Sequence, residues 1–277
     1  MSMLLSKKLY IIKIGGSVAT IKSSQKQRVR RTLLRQVCTE IQKVLAHDPS
    51  LQLIIIHGAG SFGHTLAHRY DLNKGTNAHK EGKKGAVLTR AAIQTLTTEV
   101  LRAALDAGLT ITALHTGSFF TRSKGALLYN KKIVTHLLNE NYIPLLYGDM
   151  ICDDVLGMSV CSGDTIAAEL AKTLSAEKLF FASDVDGIFT GDPYTDTKAI
   201  LIPEISLARG VDLDNSLSGS HNLDVTGGLK GKIEKCEQLF KTSTLVEIHI
   251  FNGLQYKNYR KALMGAGFPH TVIKRHS

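Results

Sequence analysis

Two glycine-rich segments, each directly after a short apolar run, have the composition of an anion-binding site. Residues 15–17 read GGS and residues 58–64 read GAGSFGH. Because glycine has no Cβ, it lets backbone N–H groups approach a phosphate closely, and a helix N-terminus adds positive potential. One such loop is typical of an ordinary tight turn. Two loops at equivalent strand ends favour phosphate binding.

The second loop also matches the GxGxxG pattern of dinucleotide-binding proteins. That fold requires an acidic residue at the end of the next strand, about 20 residues further on. Residues 76–82 read TNAHKEG, which predicts a polar loop and no strand. The pattern therefore disfavours an oxidoreductase, and the lack of GxxxxGK[ST] in the sequence excludes a P-loop kinase.

A carboxylate pair, Asp184 and Asp186, precedes Gly187 after another apolar run. A calcium-binding loop would need an oxygen ligand and a glycine where this chain has Ile188 and Phe189. The segment is instead typical of a turn that holds a nucleotide, and no metal site is predicted.

Lys13 and Asp164 are the charged residues whose positions most need an explanation. Lys13 interrupts an apolar strand, where an unpaired ammonium group would be costly. Asp164 opens an apolar helix, so helix N-capping and a catalytic role both explain it.

Strands and helices that could position these residues alternate along the chain. The predicted strands are Leu9–Ile14, Leu51–His57, Thr110–His115, Tyr142–Tyr147, Lys178–Ser183 and Leu245–Phe251. The predicted helices are one carrying Val29, Leu33, Val37, Ile41 and Val44 on its apolar face, then Ala86–Ala107, Lys131–Asn139, Thr165–Leu174, Lys230–Phe240 and Tyr256–Met264. This order predicts an α/β fold with a mainly parallel sheet covered on both faces, which is a three-layer αβα sandwich.

Two segments depart from the alternation. Residues 150–161 predict a hairpin, and residues 190–222 predict a loop-rich connection. We expect a single domain over residues 1–277, with a soft boundary near Asp149 between two halves that share one sheet.

Composition limits the possible function classes. Of 277 residues, 43% are hydrophobic and 21% are charged, which is ordinary for a globular protein with a sizeable core. The formal net charge of +10 is compatible with a basic surface or with a polyanionic ligand. Its densest basic stretch, residues 26–35, lacks interleaved aromatic residues, so it indicates nucleic-acid binding only weakly.

Cysteine usage and the N-terminus predict a cytoplasmic location. The cysteines form no CxxC pair and lie among apolar residues, which is typical of buried reduced thiols: Cys38, Cys152, Cys161 and Cys236. The first apolar run breaks at Lys13, unlike a signal peptide, and no run reaches the ~20 residues that span a bilayer. We therefore expect no membrane partner.

Taken in order, these motifs resemble the amino acid kinase superfamily over nearly the whole chain. The matching segments are 13–17 (KIGGS), 57–64 (HGAGSFGH), 162–164 (SGD), 184–193 (DVDGIFTGDP) and 224–232 (DVTGGLKGK). Within the superfamily, HGAGSFGH together with LSGSHNLDVTGG at 217–228 resembles the isopentenyl phosphate kinases.

The resemblance implies transfer of the ATP γ-phosphate, with Mg²⁺ accompanying ATP, to isopentenyl phosphate, giving isopentenyl diphosphate for isoprenoid biosynthesis. It implies an acceptor half, residues 1–149, an ATP-binding half, residues 150–277, and a homodimer. The implied catalytic residues are Lys13, Lys22, His64, Asp164 and Lys232. The implied acceptor-binding residues are Ala59, Gly60, His64 and Gly163. The implied ATP-binding residues are Lys13, Gly15, Gly16, Ser17, Gly60, Asp184, Gly187, Gly228, Lys230 and Lys232.

Several alternatives stay open at this stage. Lys230 competes with Lys232 for the phosphate-facing position, and Ala59 stands where the family usually has glycine. By resemblance, His64 bonds the acceptor phosphate, whereas a helix histidine without that context would simply face solvent. The apolar acceptor pocket is expected from the helix Ala86–Ala107 with Phe119, Phe120 and Ile151. A same-fold kinase for fosfomycin or glutamate, and a non-enzymatic nucleic-acid-binding protein, are the competing functions.

Overall fold

A computed structural model describes residues 7–21, 27–207, 239–241, 245 and 247–275. Its strands are β1 (Lys8–Ile14), β2 (Thr20–Ile21), β3 (Arg28–Val29), β4 (Leu51–His57), β5 (Ile111–Ala113), β6 (Phe120–Ser123), β7 (Ala126–Tyr129), β8 (Ile143–Tyr147), β9 (Asp149–Asp153), β10 (Gly157–Cys161), β11 (Lys178–Ser183), β12 (Ile188–Phe189), β13 (Leu201–Ile202), β14 (Glu204–Leu207), β15 (Glu247–Asn252) and β16 (Thr271–Arg275). Its α-helices are α1 (Gly16–Ala19), α2 (Arg31–His47), α3 (Gly60–Arg69), α4 (Gly82–Asp106), α5 (Thr116–Phe119), α6 (Lys131–Asn139), α7 (Gly163–Thr173) and α8 (Lys257–Leu263).

A large, mainly parallel sheet forms the centre, in the order β14-β16-β15-β11-β1-β4-β8-β5. Strand β1 lies between β4 and β11, with Ile14 in register with His57 on one side and Ala182 on the other. Because parallel neighbours end at the same edge, the segments that follow β1, β4 and β11 are brought together there. The predicted α/β fold is confirmed.

Apolar cores cover both faces of this sheet. Leu9 and Ile11 of β1 pack with α6 and α7, while Tyr10, Ile12 and Ile14 pack with α2, α4 and α8. Successive side chains of a strand point to opposite faces, so a strand buried on both sides is expected to be apolar at its interior positions, and a charged residue there is an exception that needs a partner. Lys13 is that exception.

Two strands of the main sheet were not predicted from the sequence. Residues 204–207, expected within a loop, form β14 and extend the main sheet beside β16, which was also not predicted. Strand β14 lies at the sheet edge with β16 next to it, and both carry charged residues, so their apolar runs are too short to signal a strand. The hairpin at 150–161 is present as β9 and β10, and pairs further with β6 and β7 in a smaller sheet. The helix expected at 230–240 lies mostly outside the described residues.

The predicted burial of the cysteines is confirmed only in part. Cys38 and Cys161 are buried as expected, but Cys152, near the end of β9, is exposed. Cys236 lies outside the described residues.

The basic stretch at residues 26–35 is partly paired with carboxylates. Arg31 forms a bidentate pair with Glu99 at 2.6 and 2.9 Å, and Arg35 lies 3.3 Å from Asp106. Carboxylates of α4 therefore neutralise part of this positive charge.

Of the helices in the described ranges, none combines the length and the apolar character needed to cross a lipid bilayer.

Candidate active site

The two glycine loops touch each other at the carboxyl edge of the main sheet. The Gly15 N–H donates to the Ala182 carbonyl, and the Gly58 N–H donates to the Ile14 carbonyl. A Cβ added to Gly16 would lie 2.4 Å from the backbone nitrogen of Gly60. The contact therefore requires glycine, and it places the N-terminus of α3 beside the loop that follows β1.

Gly60 is constrained by its backbone as well as by its neighbours. Its φ of +53° lies in the left-handed region, and an added Cβ would lie 2.5 Å from the Thr20 hydroxyl oxygen. Thr20 Oγ1 donates to the Gly16 carbonyl at 2.7 Å and accepts from the Ser61 N–H at 3.1 Å, so this hydroxyl joins the two loops.

We expect Gly60→Ala to reduce both stability and turnover more than Gly108→Ala. Gly108 also has a positive φ, +79°, but an added Cβ there meets no atom within 4 Å. Both variants carry backbone strain, and only Gly60→Ala adds a clash, which should lower the free energy of unfolding by about a further 1–3 kcal/mol. Denaturant unfolding measures the difference in stability, and turnover by the purified chain measures the difference in activity. Equal losses in the two variants would contradict the proposed contact between the loops.

An ion pair between Lys13 and Asp164 lies next to these loops. Lys13 Nζ is 2.8 Å from Asp164 Oδ1, and the side chains are 16% and 57% exposed. Asp164 is not the N-cap of α7, because the Ser162 side chain accepts the Thr165 N–H at 3.1 Å and occupies that position. Capping therefore does not explain Asp164, and the pair supplies the partner that a lysine in an apolar strand needs. The catalytic roles of both residues stay predictions.

Gly163, in the first turn of α7, packs against the start of the second glycine loop. A Cβ added to it would lie 3.3 Å from the His57 carbonyl oxygen. The N-termini of α3 and α7 thus begin at the same edge of the sheet, which concentrates partial positive charge there.

Gly148 also packs at this edge of the sheet, although none of the sequence motifs includes it. Its N–H donates to the His57 carbonyl, and a Cβ on it would lie 2.9 Å from the Gly163 nitrogen. A signal was present, since Gly148 directly follows an apolar run just as Gly15 and Gly58 do. Thr20 carried no comparable signal, because its role depends on a contact between separate loops.

His57 is a structural residue at the end of β4. It is fully buried, and its ring stacks on Tyr147 at 5.3 Å. Nδ1 lies 3.0 Å from the Gly58 carbonyl oxygen, and Nε2 lies 3.0 Å from Thr97 Oγ1. Burial lowers the pKa of His57 to about 4, so the ring is neutral at physiological pH.

His64 and Ala59 lie on the segment that leads into α3. His64 is an exposed residue of this helix, one turn after Gly60. Ala59 has a right-handed conformation with φ of −67°, so its backbone does not require glycine. A Cβ built on Gly63 would lie 2.5 Å from the Ala59 methyl carbon, which shows that this methyl group faces Gly63. Whether it also affects an acceptor phosphate stays a prediction.

Asp184 and Gly187 follow β11, the neighbour of β1. Asp184 is partly exposed, and its carbonyl accepts a hydrogen bond from the Tyr194 hydroxyl at 3.2 Å. Gly187 is buried, and an added Cβ would lie 2.4 Å from Thr271 Oγ1. The close approach of β16 therefore explains the glycine at 187, independently of any nucleotide. Ser17 is partly buried in the first turn of α1.

Four predicted site residues lie outside the described residues: Lys22, Gly228, Lys230 and Lys232. The question of Lys230 or Lys232 as the phosphate-facing residue stays open.

The residues expected around an apolar acceptor pocket lie in two separate apolar clusters. Phe120 and Ile151 are fully buried in the core that packs on α6 and α7, and Phe119 packs against that core. Met150, the neighbour of Ile151 on β9, points to the opposite face because strand side chains alternate. There it joins a separate apolar cluster with Ala86 of α4, which also includes Ala67, Leu72 and the partly buried Tyr70, Met158 and Val160. This cluster lies beside α3, and the position of an apolar acceptor pocket stays a prediction.

Among the residues that the structure describes, no group of three or more His, Cys, Asp or Glu side chains is placed to hold a metal ion. The charged groups at the site suit a bound phosphate, which would carry its own cation.

Comparisons with known proteins identify the family of this chain. The model of the amino acid kinase family matches residues 8–252. The isopentenyl phosphate kinase of Methanothermobacter thermautotrophicus is 32% identical over 263 residues, which cover 93% of this chain and 96% of that protein. The isopentenyl phosphate kinase of Methanocaldococcus jannaschii is 28% identical over 267 residues, covering 93% and 95%. An X-ray structure of isopentenyl phosphate kinase superposes with a TM-score of 0.79 at 28% identity, covering 96% of this chain and all of that one.

Proposed function

This chain belongs to the amino acid kinase family, and we propose that it transfers the γ-phosphoryl group of ATP to isopentenyl phosphate, giving isopentenyl diphosphate and ADP. The observation that carries the proposal is the Lys13–Asp164 pair, 2.8 Å apart, at the point where two glycine loops meet. Similarity to isopentenyl phosphate kinases over nearly the whole chain supports the choice of acceptor.

The reaction suits a site that has positive charge and backbone N–H groups. An oxygen of the acceptor phosphate attacks the γ-phosphorus, a new P–O bond forms, and the bond to the β-phosphate oxygen breaks to release ADP. Because the attacking oxygen is already anionic, no general base is required. Catalysis then depends on positioning and on neutralising charge on the transferring group. Lys13 would stabilise the β- and γ-phosphate oxygens, and Asp164 would hold the Lys13 ammonium group in place.

The acceptor would lie at the N-terminus of α3. Backbone N–H groups near Ala59 and Gly60, together with His64, would bind its phosphate, and Gly163 would leave room for it. The apolar cluster around Ala86 and Met150 would bury the isopentenyl group. A phosphate site next to an apolar surface suits this substrate, whereas a glutamate side chain would leave the apolar surface unmatched.

ATP would lie across the carboxyl ends of β1 and β11. Its phosphates would contact the loop at Gly15, Gly16 and Ser17, and its nucleoside would lie towards Asp184. By family resemblance, Lys22 and Lys232, or Lys230 in place of Lys232, complete the phosphate contacts, with Gly228 beside them. Magnesium enters as Mg-ATP, held by phosphates and water.

Two further features belong to the proposal, and the first of them rests on family resemblance alone. We expect the chain to form a homodimer, which light scattering of the purified protein would test. We also expect it to act in the cytoplasm, where ATP is available.

Release of ADP by the purified chain with Mg-ATP tests the proposal. Isopentenyl phosphate, fosfomycin and glutamate are compared as acceptors in parallel reactions. We expect turnover with isopentenyl phosphate and little with the other two. Turnover only with fosfomycin or glutamate would keep the phosphoryl transfer and overturn the acceptor. No ADP release with any of the three acceptors, combined with salt-sensitive retention on nucleic acid, would favour the non-enzymatic alternative.

A further inference from the structure

The connection from Thr190 to Ile200, between β12 and β13, is a closed and internally hydrogen-bonded loop. Its ends are joined, because the Thr190 N–H donates to the Ile200 carbonyl and the Ile200 N–H donates to Thr190 Oγ1 at 2.9 Å. Asp192 and Asp196 hold its interior, accepting the N–H groups of Tyr194 and Lys198, each at 2.9 Å. A loop ordered in this way can present a side chain in a fixed position.

The side chain that this loop presents is Tyr194. It is 70% exposed, the highest exposure among the large hydrophobic and aromatic residues that the structure describes. Its hydroxyl donates to the Asp184 carbonyl at 3.2 Å, so the ring is anchored although it is not buried. Desolvation, with the charges of Asp184 and Asp192, raises the pKa of the Tyr194 hydroxyl, which therefore stays protonated as the donor.

The anchor places the ring beside the candidate nucleotide site. Asp184 is the second residue after Ala182, whose carbonyl accepts the Gly15 N–H of the first glycine loop. The surroundings of Tyr194 are acidic, with Asp184, Asp186 and Asp192 close in the chain, which would repel phosphate groups. Lys13, in contrast, marks the phosphate end. The charges thus predict that the phosphates of a nucleotide lie towards Lys13 and that an uncharged part lies towards Tyr194.

We propose that the ring of Tyr194 stacks on the purine base of the bound nucleotide and contributes to nucleotide affinity. An anchored, exposed aromatic ring offers a flat surface at little entropic cost, and base–aromatic stacking is a substantial and geometrically simple interaction. This inference rests on the proposed function, because it takes the phosphate end of the site from it.

Isothermal titration of the full chain with Mg-ADP tests the inference without needing an acceptor. Tyr194→Ala removes the ring, and Tyr194→Phe keeps the ring while removing the hydroxyl. Tyr142→Ala is the matched control. Tyr142 is also exposed, at 43%, but it directly precedes β8 and so lies at the amino-terminal end of a strand, away from the carboxyl ends where the candidate site is. Thermal unfolding of each variant checks that it is folded.

We expect Tyr194→Ala to raise the dissociation constant for ADP by about tenfold, in the range measured for base stacking. Tyr194→Phe, which keeps the ring but loses its anchor, should lose less affinity than Tyr194→Ala, and Tyr142→Ala should stay within about twofold of the unaltered chain. Unchanged affinity in Tyr194→Ala, or equal losses in Tyr194→Ala and Tyr194→Phe, would overturn the stacking role. Failure of the unaltered chain to bind ADP would overturn the ATP half of the proposed function as well, whereas failure to phosphorylate isopentenyl phosphate would leave the ADP result intact.

Discussion

Replacing Lys13 by methionine should reduce turnover with Mg-ATP and isopentenyl phosphate by about a hundredfold to a thousandfold. The ammonium group belongs to the strand that leads into the first glycine loop, and there it would neutralise charge on the transferring phosphoryl group. Removing one preorganised electrostatic contact of this kind typically costs a factor of this size. Methionine retains the length and apolar stem of lysine, so packing along β1 is preserved.

The stability of this variant separates catalysis from folding. Asp164 is 57% exposed, so loss of its partner leaves a carboxylate that water can solvate. Lys8→Met is the matched control, since Lys8 is an exposed residue at the other end of the same strand. We expect Lys8→Met to be as active as the unaltered chain and both variants to unfold at similar denaturant concentrations. A fully active Lys13→Met variant would refute the proposed role of the Lys13–Asp164 pair.

Replacing His64 by alanine should lower kcat/KM for isopentenyl phosphate by about tenfold to a hundredfold. A hydrogen bond to a charged phosphate contributes about 1.5–3 kcal/mol, and each 1.4 kcal/mol is a factor of ten. The loss should appear in the acceptor and not in the nucleotide, because α3 follows β4 whereas the nucleotide side of the site follows β11. The dissociation constant for ADP should therefore be unchanged.

His68→Ala provides the comparison on the same helix. His68 is exposed and lies one turn after His64, so its replacement changes the same chemical group without reaching the start of α3. We expect normal kinetics for His68→Ala. Equal effects of the two substitutions would indicate a general change in α3, and no effect of His64→Ala would remove this histidine from the acceptor site.

The local pattern of the sequence was sufficient for the central strands and for most helices. Leu51–His57, Lys178–Ser183 and Lys131–Asn139 have the same bounds in the prediction and in the structure. These segments are bounded by polar residues and have a clear periodicity or a continuous apolar run, and such signals depend only on neighbours in the chain. The fold class and the glycine loops followed from the same local information.

Edge strands and side-chain directions could not be read in this way. Strand β14 depends on pairing with β16, and β16 depends on pairing with both β14 and β15, while the short apolar runs of both carry no strong signal alone. The full burial of Phe120 and Ile151 in the core on α6 and α7 could not be predicted, because it depends on which face each strand of the smaller sheet buries. The buried face depends on how the strands of the smaller sheet pair and on which helices pack against them, and both are non-local properties.

The sequence by itself determined which residue types follow each central strand, and therefore that a phosphate site was chemically possible. Only the tertiary structure decided that Lys13 meets Asp164, that Ser162 and not Asp164 caps α7, and that Thr20 joins the two loops. The physical reason is that backbone conformation is encoded by nearby residues, whereas these contacts exist only after β1, β4 and β11 pair in register. Parallel pairing brings their carboxyl ends to one edge, and that edge is where distant charges and glycines become neighbours.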